Sequence, residues 1–220
     1  MPASSTRPPT ASRPLADRLN DALPQTQCTR CGYPDCRSYA EAIANESALI
    51  NRCPPGGGAG IIALARITGR AVVSLDPDYG TEGPRAMAVI DEAWCIGCTL
   101  CLDVCPTDAI LGIHKRMHTI IEAHCTGCEL CLPVCPVDCI SLEDVTPGRT
   151  GWQAWSQPQA DAARARHALR LARLRPSAAP AAAAVSPADA PSPVQRKRAT
   201  IEAALARARA SKAANPTSTP

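Results

Sequence analysis

Cys95-Ile-Gly-Cys98-Thr-Leu-Cys101-Leu-Asp-Val-Cys105-Pro106 is repeated, at an offset of 30 residues, by Cys125-Thr-Gly-Cys128-Glu-Leu-Cys131-Leu-Pro-Val-Cys135-Pro136. Each half is a C-x2-C-x2-C-x3-C-P run. The correspondence extends past cysteine to Ile90/Ile120, Glu92/Glu122, Ala93/Ala123, Gly97/Gly127, Leu100/Leu130, Leu102/Leu132, Val104/Val134, Asp108/Asp138 and Ile110/Ile140. Such self-similarity marks a duplicated unit. Three closely spaced thiolates can wrap one multi-metal centre, while the proline after the fourth turns the chain away toward the other half.

This is the spacing by which bacterial-type ferredoxins hold 4Fe–4S clusters, with the fourth cysteine of each run serving the other cluster. That rule gives Cys95, Cys98, Cys101 and Cys135 to one cluster, and Cys125, Cys128, Cys131 and Cys105 to a second. Zinc is the competing reading. Structural zinc sites pair two C-x2-C knuckles across a longer spacer, which this triple run is not.

A third group, Cys28-Thr-Arg-Cys31-Gly-Tyr-Pro-Asp-Cys36 with Cys53-Pro-Pro-Gly-Gly-Gly58, can enclose one more 4Fe–4S cluster. On spacing alone zinc stays open here, because four-cysteine sites containing one C-x2-C are common for it.

Leu23-Pro-Gln-Thr-Gln-Cys28-Thr-Arg-Cys31-Gly-Tyr-Pro-Asp-Cys36-Arg-Ser-Tyr-Ala-Glu-Ala-Ile43, the Asn51-Arg-Cys53-Pro-Pro-Gly-Gly ending and the doubled run together resemble the RnfB/RsxB family. That family is the polyferredoxin component of the Rnf/Rsx electron transport complex. The resemblance covers residues 15–145. It implies a 4Fe–4S cluster on Cys28, Cys31, Cys36 and Cys53, hence three 4Fe–4S clusters in all, and electron relay to redox proteins, Rnf/Rsx membrane subunits among them. Members usually begin with a membrane-anchoring apolar segment, which this sequence does not show.

Composition narrows the rest. The chain has 220 residues, 3% aromatics and no Phe, so an ordinary aromatic core is excluded. Thirteen cysteines suit disulfides in a small secreted protein, but the start, Met1-Pro-Ala-Ser-Ser-Thr, lacks a signal-peptide pattern. No apolar run approaches the ~18 residues of a membrane span. A cytoplasmic protein is expected, at most peripheral on the inner membrane's cytoplasmic face. Residues 1–147 carry 11 Lys and Arg against 17 Asp and Glu, whereas residues 148–220 carry 12 against 3.

Along the chain, residues 1–14 read as disordered. Residues 15–70 read as a small helical one-cluster domain, with helices at 15–23, 37–51 and 61–67. Within a linker over 71–85, Ala71 to Leu75 reads as strand. The two-cluster ferredoxin domain spans 86–147, with strands at Ala86–Ile90 and within Ile113–Ile121. Residues 148–175 form a Trp/Arg segment whose Trp152 and Trp155 are expected against the ferredoxin body, followed by an arginine-rich helix over 158–175. Residues 176–220 are a Pro/Ala linker and a second basic helix at 195–213. This tail suits anionic lipid or an acidic protein; nucleic acid is not the expected partner.

Cys139 aligns with Ala109 and reads as a buried structural thiol. His114, His118, His124 and His167 read as surface residues without a catalytic constellation. The fold class is therefore α+β with a basic helical or disordered tail. The function is single-electron relay with no active site of its own. A free-standing ferredoxin serving a cytoplasmic reductase, and a nucleic-acid-associated iron–sulfur protein, are the alternatives.

Overall fold

The computed structural model describes residues 13–175 and, beyond them, Glu202. The expectations for most of the N-terminal segment and for the 176–220 linker and second basic helix lie outside the described residues.

Helix α1 (Leu15–Asp21) stops at Ala22, because Pro24 disfavours helical backbone at Leu23. Helix α2 (Cys36–Ala44) begins at Asp35, whose side chain accepts from the Ser38 N–H at 2.6 Å. It ends well before the expected residue 51. Glu46 takes a left-handed φ of 59°, with Glu46 N–H bonded to the Ile43 carbonyl and Ser47 N–H to that of Ala42. This paired closure is a Schellman motif on a residue other than glycine. Arg70 reinforces it by donating to the carbonyls of Ala48 and Ile43. Helix α3 (Gly57–Thr68) is longer than expected and ends on Gly69 at φ 73°.

The three helices bury Leu19, Leu23, Tyr39, Ile43, Ile50, Ile61 and Leu64 in one core, which also takes in Cys31, Cys36 and Cys53. Residues 71–75 are not a strand. They find no neighbouring strand; instead Ser74 accepts from the Asn51 side chain and Asp76 N–H bonds the Asn51 carbonyl, leaving Val72 and Val73 exposed.

Strand β1 (Ala86–Ile90) pairs antiparallel with β4 (Ile140–Asp144), from Ala86↔Asp144 to Ile90↔Ile140. Strands β2 (Ile110–Leu111) and β3 (Thr119–Ile120) form a second short pair. The strand expected within 113–121 is thus only two residues long, limited by its two-residue partner. Helix α4 (Leu100–Val104) has no counterpart in the second half, where Pro133 replaces Asp103 and removes a backbone donor. The second core gathers Ala88, Ile90, Ala109 and Ile110 with Cys101, Cys105 and Cys131.

In the C-terminal segment the expected arginine-rich helix is present, but Trp152 departs from expectation. Trp152 docks on the first helical layer, not on the ferredoxin body: its Nε1–H donates to the Ala22 carbonyl at 2.8 Å, over Gly60 of α3, where a Cβ would meet the indole at 3.3 Å. The indole of Trp155 lies under the Arg85 guanidinium, 5.3 Å away. Helix α5 (Gln157–Leu174) opens with a capping box between Ser156 and Gln159. Several of its arginines turn inward to carboxylates. Arg164 pairs with Asp21 of α1, while Arg170 and Arg173 both reach Asp108 at 2.8 Å. These arginines strap α5 across both cores.

Candidate iron–sulfur centres

Cys28, Cys31, Cys36 and Cys53 are all buried, at 8–9% exposure. The loop before them is shaped by residues to which the motif spacing assigns no role. Gln25, Gln27 and Thr29 each hold a left-handed φ near 60°, a strained conformation outside glycine. Their arrangement is fixed by a buried relay: Gln25 Nε2 donates to Asn20 Oδ1 at 3.0 Å, Gln27 Nε2 to Gln25 Oε1 at 3.0 Å, and Cys36 N–H to Gln27 Oε1 at 2.8 Å. Cys53 returns because Tyr39, buried in the core, donates its hydroxyl to the Leu49 carbonyl and accepts from the Arg52 N–H. Glu82 sits on the N-terminus of α3, accepting from Gly58 N–H at 2.8 Å. The Gly56–Gly58 run is thus closed by a carboxylate of the same chain.

Burial pushes the thiols of Cys31, Cys36 and Cys53 above the ordinary value, and the negative charge of each other's sulfur adds to it. Every pair among the four cysteines interacts in this way. Four mutually repelling buried thiolates need a cationic centre among them, which an iron–sulfur core supplies.

The doubled run folds as a pseudo-twofold unit, visible in matched crossed contacts. Gly97 packs on the backbone of Arg116, and Gly127 on that of Ala86; a Cβ would approach to 2.4 and 2.2 Å respectively. Both glycines take left-handed φ, 68° and 63°. Ala88 N–H points at Cys125 Sγ (3.4 Å), and His118 N–H at Cys95 Sγ (3.3 Å). Asp91 N–H bonds the Cys139 carbonyl, and Ile121 N–H that of Ala109. The segment leading into each motif therefore lies against the other motif.

The same crossing shows in the cavities. One is lined by Cys125, Cys128 and Cys131 together with Cys105. The other is lined by Cys95, Cys98 and Cys101 together with Cys135. Burial and then neighbouring thiolates push Cys101 up to about 11. They likewise push Cys128 and Cys131 up to about 12. Among the described residues no three His, Cys, Asp or Glu side chains close on a point as a single metal ion would need; the cysteines stand around the walls of these cavities.

Two expectations are corrected. Cys139 is not a buried thiol: it is half-buried, lines the Cys95 cavity and lies 3.5 Å from Cys135 Sγ. Nor are all the histidines on the surface. His118 is 1% exposed, with Nδ1 3.3 Å from Cys101 Sγ. The signal that could have found it is its place in the repeat, where it aligns with Ala88, the buried middle residue of β1.

The first group faces the Cys125 cavity. Thr126 donates its hydroxyl to the Thr26 carbonyl at 2.9 Å. Arg30, against the cost of its burial, is kept charged by Glu129, with Cys28 and Cys128 both close by.

Comparison with known proteins agrees with this geometry. A family model described as "4Fe-4S dicluster domain" matches residues 88–142, and one described as "Putative Fe-S cluster" matches residues 23–55. The chain is 55% identical over 145 residues to the B subunit of the ion-translocating oxidoreductase complex of Azoarcus sp., covering 66% of this chain and 79% of that protein. The protein of the same name from Hahella chejuensis is 56% identical over 146 residues, covering 66% and 73%. That from Alkalilimnicola ehrlichii is 53% identical over 153 residues, covering 69% and 81%. Among the described residues no helix is long and apolar enough to cross a membrane.

Proposed function

The chain belongs to the family of B subunits of ion-translocating oxidoreductase complexes, and from that premise we propose that it relays single electrons within such a complex through three 4Fe–4S clusters. Bound clusters would supply reversible one-electron storage without bond making in the protein. Cys28, Cys31, Cys36 and Cys53 hold the first. Cys95, Cys98, Cys101 and Cys135 hold the second, and Cys125, Cys128, Cys131 and Cys105 the third. The observation that carries this reading is the lining of the two ferredoxin-type cavities, each by three cysteines of one motif and the fourth of the other.

The chain's own part is to hold the thiolates, surround them with N–H donors and keep the groups adjacent. The Thr126–Thr26 bond and Arg30 put the first group beside the third, so the relay order is first, third, second. Partners are the other subunits of the complex and a redox protein that exchanges electrons with it. The protein works at the inner membrane's cytoplasmic face; contact of the basic residues beyond 175 with acidic protein or anionic lipid is a further part of the proposal.

Iron and acid-labile sulfide on anaerobically purified protein test it. About twelve of each per chain are expected, from three cubanes. Eight irons with one zinc would make the first group a zinc site.

A further inference from the structure

The two ferredoxin halves share motif and cavity, yet side chains differ beside the sulfurs: Cys139 stands near Cys135 where the first half has Ala109, and a histidine stands beside Cys101. Where β1 has Ala88, the matching position just before β3 holds His118. Both residues direct their N–H at the first cysteine of the opposite motif. Only His118 adds a side-chain contact, Nδ1 to Cys101 Sγ at 3.3 Å, inside the cavity lined by Cys95, Cys98, Cys101 and Cys135.

The ring is held there by its surroundings. A Cβ on Gly112 would lie 2.0 Å from His118 Cδ2, so the ring occupies space that only glycine leaves open. His118 Nε2 is buried without a partner among the described residues. A proton on Nε2 would strand a buried N–H, whereas a proton on Nδ1 faces the sulfur. Nδ1 is therefore the donor.

We propose that His118 is a positioning residue that donates Nδ1–H to Cys101 and raises the reduction potential of the cluster on Cys95, Cys98, Cys101 and Cys135. The inference rests on the ligation set out above. A hydrogen bond to a ligand sulfur withdraws negative charge and favours the reduced state, which carries one more electron. The duplicate cluster lacks this donor. It has cations of its own, since Arg85 and Arg30 approach Cys125 and Cys128, so the ranking of the two potentials is a separate matter.

The test is an EPR-monitored potentiometric titration of the full chain with iron counted on each sample. In His118→Leu one ferredoxin-type signal should move to lower potential, by roughly tenfold in its reduction equilibrium, about 59 mV for one electron, with the other unmoved. In His118→Asn, which keeps a donor near the Nδ1 position, most of the original potential should remain. Gly112→Ala, which pushes the ring away, should lower the same signal. If His118→Leu sheds iron, the comparison of Gly112→Ala with His118→Asn decides in its place. An unmoved potential at full iron, or equal shifts in both signals, overturns the role. Absence of two ferredoxin-type signals from the unaltered protein overturns the ligation itself, and the role with it.

Discussion

The hydroxyl of Thr126 donates to the backbone carbonyl of Thr26 at 2.9 Å, joining the loop before Cys28 to the loop between Cys125 and Cys128. These two cysteine groups are neighbours, while Cys95, Cys98 and Cys101 line a separate cavity. The reduced protein should therefore show magnetic coupling between the first and third clusters and between the third and second. Cys131→Ala, which removes a proposed ligand of the middle cluster, should leave the outer two uncoupled. Coupling that survives in that variant would refute the proposed order.

The proposed crossed ligation has a selective consequence. Cys105→Ala should damage the cluster of Cys125, Cys128 and Cys131 and leave that of Cys95, Cys98 and Cys101 largely intact, read as loss of one EPR signal and up to four irons. Cys139→Ala should cost no iron, although its sulfur lies 3.5 Å from Cys135, because four thiols line that cavity without it. Selective loss of the Cys95 cluster in Cys105→Ala would refute the crossing.

Tyr39 is buried and its hydroxyl serves two backbone groups, the Leu49 carbonyl and the Arg52 N–H. Tyr39→Phe leaves both unpaired near Cys53. Thermal unfolding should show a loss of about 1–3 kcal/mol, together with faster release of iron from the first group than from the other two.

Asp108 carries the far end of α5 through Arg173 and Arg170. Burial alone would push its carboxyl up, but the two guanidiniums hold it below the ordinary value. A depressed folded value gives stability that is present above the unfolded value near 3.9 and is lost as pH falls through the folded one. The α5 contact should thus be indifferent to pH from about 5 to 8 and sensitive to salt. Asp108→Asn should speed amide exchange severalfold in the last two turns of α5 at neutral pH. Exchange unchanged in that variant would show that packing alone holds the helix.

The cysteine groups, the repeat and strand β1 could be read from sequence because each is a local pattern: thiols at fixed spacing, or a short apolar run rich in small and β-branched residues. The early end of α2 could not, since it turns on Glu46 in a conformation that sequence reading assigns to glycine. The ion pairs of the α5 arginines could not be read because their partners are remote; Arg164 meets Asp21 across 143 positions. Trp152 was assigned to the wrong body for the same reason, its acceptor at Ala22 lying 130 positions away. His118 looked superficial because its burial depends on the space beside Gly112.

The pairing of β1 with β4 sets an order for manufacture. Residues 28–53 can gather their thiols as soon as α3 has formed behind them. Strand β1 has to wait for residue 144 to leave the ribosome, since Ala86 pairs with Asp144. Neither ferredoxin-type cysteine set is complete until the second motif has been made. On the proposed ligation, metal delivered during synthesis meets one finished site and a run of exposed thiols, so oxidants reaching the nascent chain threaten the doubled motif first.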